Sequence, residues 1–319
     1  MIGSAWAVLL SASTHAISGI ASTSPQQITA YNGGWSPKIR DYHEAVIEHL
    51  LEVTKEEFDE YVLRYRRVES TFSEHQSDLY FTTLKNSERL NRDFHQLPFP
   101  VFQHSLGLRQ VIAHTGNTPK IGEVNSVEDF LSYKVGQVEN WPDVCIYEES
   151  GAKVIKSARY SSLFAMLNRG RFDYLPLGII EISDALSAET KYQDSLAIQN
   201  DLYIYYSLPV YINVSRSHKS LIKRIEYGAE ELIKTGWLHH EFLEYFGDSF
   251  NRISPSKSKV LILNNSSLPS TIDRAFSDRA MNTYFQKDSQ FIELPTDTTY
   301  TVEPDGTCNV LRDKPTNAQ

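Results

Sequence analysis

The chain has 319 residues, of which 41% are hydrophobic and 22% charged, the balance of a folded globular protein with room for two lobes of ordinary size. Its formal net charge is −9 at pH 7, and it has no Lys/Arg cluster larger than Arg64–Arg67. Both observations argue against a nucleic-acid partner, which would favour a basic stripe.

The first 21 residues carry no charge and are rich in small side chains. An apolar run spans Ala5–Leu10, and small residues surround two candidate cleavage points, after Ala16 and after Ala21. This pattern is typical of a secretory signal, although the usual positive leader is missing. We therefore predict an exported, periplasmic protein, the alternative being a disordered cytoplasmic tail.

A strand, a helix and a second strand are predicted at the start of the folded region. The strand is Gln27–Tyr31, and the helix begins at Ser36, a capping residue, followed by proline at its first position. An apolar stripe then runs to Val53, and the second strand is Tyr61–Tyr65. The turn Asn32–Gly34 lies between strand and helix, the usual place for a ligand-facing loop in an α/β sheet.

The middle of the chain repeats this arrangement. After a strand at Leu79–Phe81, the segment Asn86–Arg89 precedes an apolar strand at Val111–Ala113. Ser126 caps a short helix, and Tyr133–Gly136 is the next predicted strand.

The segment Gly151–Glu181 has the pattern of a parallel β-α-β unit. Lys153–Lys156 is a β-branched strand, the helix after it stops at Gly170, and Phe172–Leu175 is the second strand. Pro176 and Gly178 are predicted to break that strand.

The remainder of the chain contains a strand, two helices and a polar tail. The apolar segment Leu202–Val214 precedes helices predicted at Leu221–Lys234 and Leu238–Phe246. A further strand is predicted at Lys259–Leu263, and the polar residues after it predict a partly ordered tail.

Residues 26–250 resemble the type II periplasmic solute-binding proteins of family 3, the group that includes the amino-acid receptors of ABC importers. The resemblance rests on L-N-R-G-R-F-D at Leu167–Asp173 and on the closing segment that begins Y-I-N-V-S-R-S-H-K-S-L at Tyr211. Asn86–Arg89 resembles the "T-x-x-R" segment of the family, with Asn86 in place of threonine.

The resemblance implies a two-lobe α/β fold in which each lobe is a mostly parallel sheet flanked by helices. Lobe one is predicted to contain residues 24–110 and 210–265, lobe two residues 111–209, and the tail residues 266–319. Two crossing strands would join the lobes. A small, anionic solute would bind in the cleft between the lobes, for ABC-type transport or for sensing, and we expect a monomer with a membrane permease or a sensor as its partner.

Within this resemblance, Arg89 would grip an anionic group of the ligand, since a guanidinium suits a carboxylate. The alternative is a surface arginine paired with Glu88 or Asp93. The acid that receptors of this family use against the ligand's ammonium falls at or near Gly178, which has no side chain. The predicted ligand-binding residues are Tyr31, Asn32, Arg89, Trp141, Tyr174 and Glu181.

The sequence lacks the common catalytic motifs, including G-x-S-x-G, H-E-x-x-H and the Walker A loop. We therefore predict no enzyme activity and no cofactor, with a secreted hydrolase on the same fold as the alternative. Cys145 and Cys308 are the two cysteines. They could pair in an oxidising compartment, but two unpaired thiols are the preferred interpretation.

Overall fold

The computed structural model contains two large β-sheets with helices packed against them, and a separate two-stranded sheet near the C-terminus. The structure describes residues 26–33, 35–55, 58, 61–66, 76–83, 88–253, 258–268, 270–285, 290–293, 301–302 and 308–309. Within these residues, the strands are β1 (Gln26–Tyr31), β2 (Tyr61–Arg66), β3 (Leu79–Thr82), β4 (Phe94–Pro98), β5 (Leu108–His114), β6 (Lys134–Val138), β7 (Lys153–Ser157), β8 (Tyr174–Gly178), β9 (Leu196–Tyr205), β10 (Tyr211–Ser215), β11 (Lys259–Ile262), β12 (Gln290–Glu293), β13 (Thr301–Val302) and β14 (Cys308–Asn309). The α-helices are α1 (Pro37–Glu52), α2 (Glu88–Asp93), α3 (Thr118–Gly122), α4 (Val127–Leu131), α5 (Asp143–Glu149), α6 (Leu163–Asn168), α7 (Ile182–Ala188), α8 (Lys219–Lys234), α9 (Trp237–Phe250) and α10 (Ser270–Tyr284).

The first sheet has five strands in the order β2-β1-β3-β10-β4. Strand β1 is parallel to β2 and β3, and β10 is antiparallel to β3 and β4. Helix α1 begins where Ser36 accepts a hydrogen bond from the Ile39 amide, and its buried stripe includes Tyr42 and Val46. Tyr42 meets Phe246 of α9 at a ring-centroid distance of 5.1 Å, which packs the first and the late helices into one lobe.

The second sheet has seven strands in the order β12-β11-β9-β5-β8-β6-β7. Strands β6, β7 and β8 are parallel, as the sequence of the β-α-β unit predicted. Strand β5 is antiparallel to both of its neighbours, β8 and β9. The two sheets confirm the predicted two-lobe α/β fold.

Strand β8 differs from its prediction, because it continues through Pro176 to Gly178. Pro176 lies opposite Val111 of β5, so it is inside the sheet. On the other side of β8, pairing with β6 is limited to Tyr174 opposite Val135. A residue without an N–H group is tolerated beyond that point, since no ladder bond to β6 is lost.

Two chain segments cross between the sheets side by side. One leads from β4 to β5 and the other from β9 to β10. The Phe99 amide donates to the Val210 carbonyl at 3.0 Å, and the Tyr206 amide donates to the Gly107 carbonyl at 3.4 Å. A Cβ atom at Gly107 would lie 1.7 Å from the Tyr206 carbonyl oxygen, so this close approach requires glycine.

After α9 the chain returns to the second sheet and forms a C-terminal unit of β11, α10 and β12. Strand β11 pairs in parallel with β9, and β12 pairs with β11. The sequence-based division assigned residues 259–262 to lobe one and the region of α10 to a tail. The lobe boundaries stay a prediction, but β11 hydrogen-bonds within the seven-stranded sheet, and α10 buries Ala280 and Met281 against the core.

None of the helices within the described ranges has the length and apolar character that a membrane span needs. The predicted signal segment, residues 1–21, falls outside the described residues.

Candidate functional site: the facing edges of the two sheets

The strand directions bring the loops of both sheets to the region of the crossings. In the five-stranded sheet, β1 ends at Tyr31 and β4 ends at Pro98, next to the first residue of β10. In the seven-stranded sheet, β8 ends at Gly178, opposite Arg109 at the start of β5. Both crossing segments leave from these edges. Carboxyl ends of parallel strands are the usual binding edge of α/β sheets, so the two edges define the candidate cleft.

Trp141, Tyr160 and Glu181 form the loop surface of the seven-stranded edge. They follow β6, β7 and β8 respectively, and each precedes a helix. The ring centroids of Trp141 and Tyr160 lie 5.8 Å apart, and 42% of Tyr160 is exposed. Burial and the nearby Glu181 carboxylate raise the pKa of the Tyr160 phenol. The edge therefore offers an aromatic pair beside a carboxylate.

Behind this surface, Arg109 is buried among polar partners. Its Nη2 atom lies 2.8 Å from Asp143 Oδ1, and its Nε donates to the Tyr206 hydroxyl at 2.8 Å. The Tyr206 hydroxyl in turn donates to Asp143 Oδ1. Only 7% of Arg109 is exposed, so these bonds compensate for the loss of hydration. We call Arg109, Asp143 and Tyr206 the Arg109 cluster.

Glu181 connects the cluster to the loop surface. Its Oε1 atom accepts from the Gly178 amide at 3.1 Å and lies 3.5 Å from Arg109 Nη1. Its Oε2 atom has no hydrogen-bond partner among the described residues. Burial raises the pKa of Glu181, while Arg109 and the Gly178 amide oppose the rise.

Ionisation within the cluster follows from the same contacts. Burial alone would lower the pKa of Arg109, but Asp143, Tyr206 and Glu181 reverse that effect and raise it. Burial raises the pKa of Tyr206 well above its ordinary value. Arg109 is therefore a permanent buried cation, and Tyr206 a neutral hydrogen-bond donor.

The five-stranded edge contains Tyr31 and Asn32. The side chain of Tyr31 covers Gly33 and packs near Tyr80 and Phe94. Asn32 is buried, and its Nδ2 atom donates to the Arg40 carbonyl at 2.9 Å and to Glu44 Oε1 at 3.1 Å. These bonds direct the Asn32 amide nitrogen towards α1.

Arg89 lies in α2, which follows β3 at the same edge. Its side chain is outside the described part of the chain, so its role as a ligand anchor stays a prediction.

Tyr174 lies in a different setting from the other predicted site residues. It is fully buried, and its ring centroid is 4.6 Å from that of Phe130 and 6.5 Å from that of Tyr147. This position favours a role in the core of lobe two, while its assignment to the ligand site stays a prediction.

The sequence analysis missed the Arg109 cluster and Tyr160. A signal for Arg109 was available, since an arginine in the apolar strand Leu108–Ala113 needs buried partners. Nothing in the sequence near position 109 points to Asp143 or Tyr206, which meet it only through the crossing of the chain. Tyr160 lies beside a predicted helix start and gave no distinct signal.

Two further observations concern cysteine and metal. Cys145, in α5, is disulfide-bonded, so the preference for two unpaired thiols was wrong. Cysteine spacing predicts pairing only in dense frameworks, and a single long-range bond leaves no local pattern. In the described ranges, no group of His, Cys, Asp and Glu side chains has an arrangement that could hold a metal ion.

No protein-family model matches the sequence, and no curated protein is significantly similar to it. The structure resembles the probable amino-acid ABC transporter extracellular-binding protein ytmK from Bacillus subtilis, with a TM-score of 0.51 and 14% identity over 70% of this chain and 99% of that one. It also resembles a periplasmic His/Glu/Gln/Arg/opine family-binding protein from Silicibacter pomeroyi in complex with lysine, with a TM-score of 0.50 and 12% identity over 69% of this chain and 97% of that one. At such low identities, these likenesses confirm the predicted resemblance to the family 3 receptors at the level of the fold.

Proposed function

We propose that this protein is an exported solute-binding protein that captures a small solute between the facing edges of its two lobes. The observation that carries the proposal is the convergence of Trp141, Tyr160 and Glu181 at the edge from which the two crossing segments leave. Crossings of this kind allow lobes to close around a ligand.

The solute proposed is an anion with an apolar or aromatic body. Arg89 would hold its anionic group from lobe one, and the Trp141–Tyr160 pair would contact its body from lobe two. A standard α-amino acid is a poor fit for this site. Gly178 has no side chain where the family usually has an acid, and Glu181 Oε1 is already bonded to the Gly178 amide. An ammonium group held in the family's usual way would therefore lack a carboxylate at that position, and burying it unpaired would be costly.

Export is supported by the disulfide at Cys145, because such bonds persist in oxidising compartments. A similar structure is described as an amino-acid ABC transporter binding protein. By this likeness of fold, we propose that a membrane permease or a membrane sensor receives the loaded protein.

Calorimetry tests the site with simple carboxylates and the common amino acids as probes. We expect a carboxylate with an apolar body to bind the wild type. Arg89→Ala should weaken it by about 1.5–3 kcal/mol, the contribution of a hydrogen bond to a charged group. The control is Arg92→Ala, in the same helix, because the Arg92 side chain is exposed and pairs with Asp93.

A second comparison tests the aromatic pair. Tyr160→Ala should weaken the same carboxylate, whereas Tyr227→Ala should not, although both tyrosines are 42% exposed. Micromolar binding of a standard amino acid, unaffected by Arg89→Ala and Tyr160→Ala, would contradict the proposed solute chemistry. Turnover of any bound probe would favour the hydrolase alternative.

A further inference from the structure

A cavity lies at the crossings, walled by residues other than those assigned to the candidate cleft. Its volume is about 190 Å³. The first crossing contributes Phe99, His104 and Leu106 to its wall, the second contributes Leu208 and Val210, and α10 contributes Arg279. We call this space the hinge cavity.

The walls of the hinge cavity are apolar and well packed. Phe99, Leu106 and Val210 are each at most 5% exposed. A dry cavity of about 150 Å³ with such walls is large enough for a benzene ring. The hinge cavity therefore has room for one small apolar group.

The guanidinium of Arg279 places one positive charge next to the apolar residues of the hinge cavity. Arg279 is exposed, and it forms no ion pair with another residue in the described part of the chain. Burial and the neighbouring Arg279 both lower the pKa of His104, so the imidazole adds no charge near neutral pH. An apolar space with a single unpaired guanidinium suits a molecule with an apolar body and one anionic group.

The backbone on one side of the cavity has an unusual conformation, which a hydrogen bond from α10 supports. Gln103 and His104 both adopt the left-handed region, with φ angles of 50° and 65°, which is unusual for two consecutive non-glycine residues. The Tyr284 hydroxyl of α10 donates to the Gln103 carbonyl at 2.6 Å. Strained backbone of this kind persists only where its surroundings fix it, and it is enriched at ligand sites.

The other crossing is tied to the C-terminal unit as well. The Ser207 hydroxyl donates to the Asp273 carbonyl at 2.8 Å, and Asn265 Nδ2 donates to the Ser207 carbonyl at 2.8 Å. Helix α10 therefore spans both crossings and forms the side of the cavity that carries Arg279.

We propose that the hinge cavity is a second ligand site, separate from the cleft, for a small monocarboxylate with an aromatic or short aliphatic body. Arg279 binds the carboxylate, and the body occupies the space between the two crossings. The site is independent of which solute binds in the cleft.

Fluorine NMR with 4-fluorobenzoate tests this site on the full chain. We expect 4-fluorobenzoate to bind the wild type, and the uncharged 4-fluorobenzyl alcohol to bind more weakly. Arg279→Ala should weaken 4-fluorobenzoate by about tenfold or more, as the loss of a charged hydrogen bond implies. Arg274→Ala is the matched control, because Arg274 is also exposed on α10 but does not line the cavity, and it should leave the affinity unchanged.

Two more variants separate the hinge cavity from the cleft. Leu208→Trp should fill the cavity and abolish binding of 4-fluorobenzoate, with circular dichroism to confirm that the variant folds. If Leu208→Trp does not fold, the test of the site rests on Arg279→Ala, because Arg279 is exposed. Any 4-fluorobenzoate that binds in the cleft should be weakened by Tyr160→Ala, so the binding that Tyr160→Ala keeps and Arg279→Ala weakens belongs to the hinge cavity. Absence of binding to the wild type at millimolar concentration, or binding lost in Tyr160→Ala but kept in Arg279→Ala, would overturn the proposal.

Discussion

The two large sheets bury polar side chains in opposite ways. At the seven-stranded sheet, Arg109 of β5 is buried as a cation, with Asp143 and Tyr206 as partners. At the five-stranded sheet, His43 of α1 is completely buried and stacked on Phe81 at 4.3 Å, and neither ring nitrogen has a hydrogen-bond partner among the described residues. Burial lowers the pKa of His43 to about 3, so the ring is neutral in the folded protein.

Whether a buried group needs a charged partner depends on whether it can lose its own charge. An arginine cannot lose its proton in a protein, so its charge must be compensated where it is buried. A buried histidine can stay neutral, so it avoids the free-energy cost of burying a charge. The region around Arg109 should therefore be sensitive to removal of a partner, and the region around His43 to acid.

The largest expected effect comes from breaking the Arg109 cluster. Arg109→Met leaves Asp143 buried without its cation and should lower the free energy of unfolding by about 3–5 kcal/mol in urea titrations. The exposed Arg171→Ala is the control and should have little effect.

Replacing both charges sharpens this test. The double variant Arg109→Met/Asp143→Leu removes the buried ion pair altogether and should be more stable than Arg109→Met alone. A double variant that loses the sum of the two single effects would show that the charges are not coupled.

Acid should lower the free energy of unfolding through protonation of His43. Its folded pKa is lower than the unfolded value of about 6.5, so below that value the unfolded state binds the proton first. The contribution of neutral His43 to the free energy of unfolding is therefore fully present above pH of about 6.5 and falls as the pH drops towards 3. At pH of about 5 the loss should be about 2 kcal/mol.

Urea titrations of wild type and His43→Phe at pH of about 6.5 and at pH of about 5 measure this contribution. The variant should lack that part of the acid sensitivity, whereas His239→Gln, at an exposed position on α9, should keep it. Equal acid sensitivity in wild type and His43→Phe would contradict a buried neutral imidazole.

The smallest effects concern two helix caps, those of α4 and α1. Ser126 accepts from the Asp129 amide at 3.0 Å at the start of α4, and Ser36 accepts from the Ile39 amide at 3.4 Å at the start of α1. Ser126→Ala should cost about 1 kcal/mol of unfolding free energy, and Ser36→Ala less, since its bond is longer. Glycine at either position should cost only a few tenths of a kcal/mol. Identical stabilities of wild type and Ser126→Ala would mean that this cap contributes nothing.

Much of the fold could be predicted from local sequence. The cap at Ser36 and the glycine stop after α6 are signals within a few residues of the element that they limit. Pro176 was misinterpreted because its tolerance depends on the limited pairing between β6 and β8, which is a property of the sheet.

The candidate site was harder to predict, for the same physical reason. The loop positions of Trp141 and Glu181 could be predicted because each follows a strand in a pattern that resembles a known family, while their contact with a ligand stays a prediction. The Arg109 cluster joins positions 109, 143 and 206, and its members meet only when the crossings bring two distant strands together. The C-terminal unit lies beyond the segment that resembles the family, so the resemblance gave no guidance there.

Small-angle scattering can detect closure of the lobes around a solute, using a carboxylate that calorimetry shows to bind both the wild type and Arg279→Ala. Binding to Arg279→Ala ensures that the carboxylate does not depend on the hinge cavity. Closure of the lobes around it should reduce the radius of gyration at saturation, and Tyr160→Ala should require more carboxylate for the same reduction. A radius of gyration that stays unchanged at saturation would contradict capture of a solute between closing lobes.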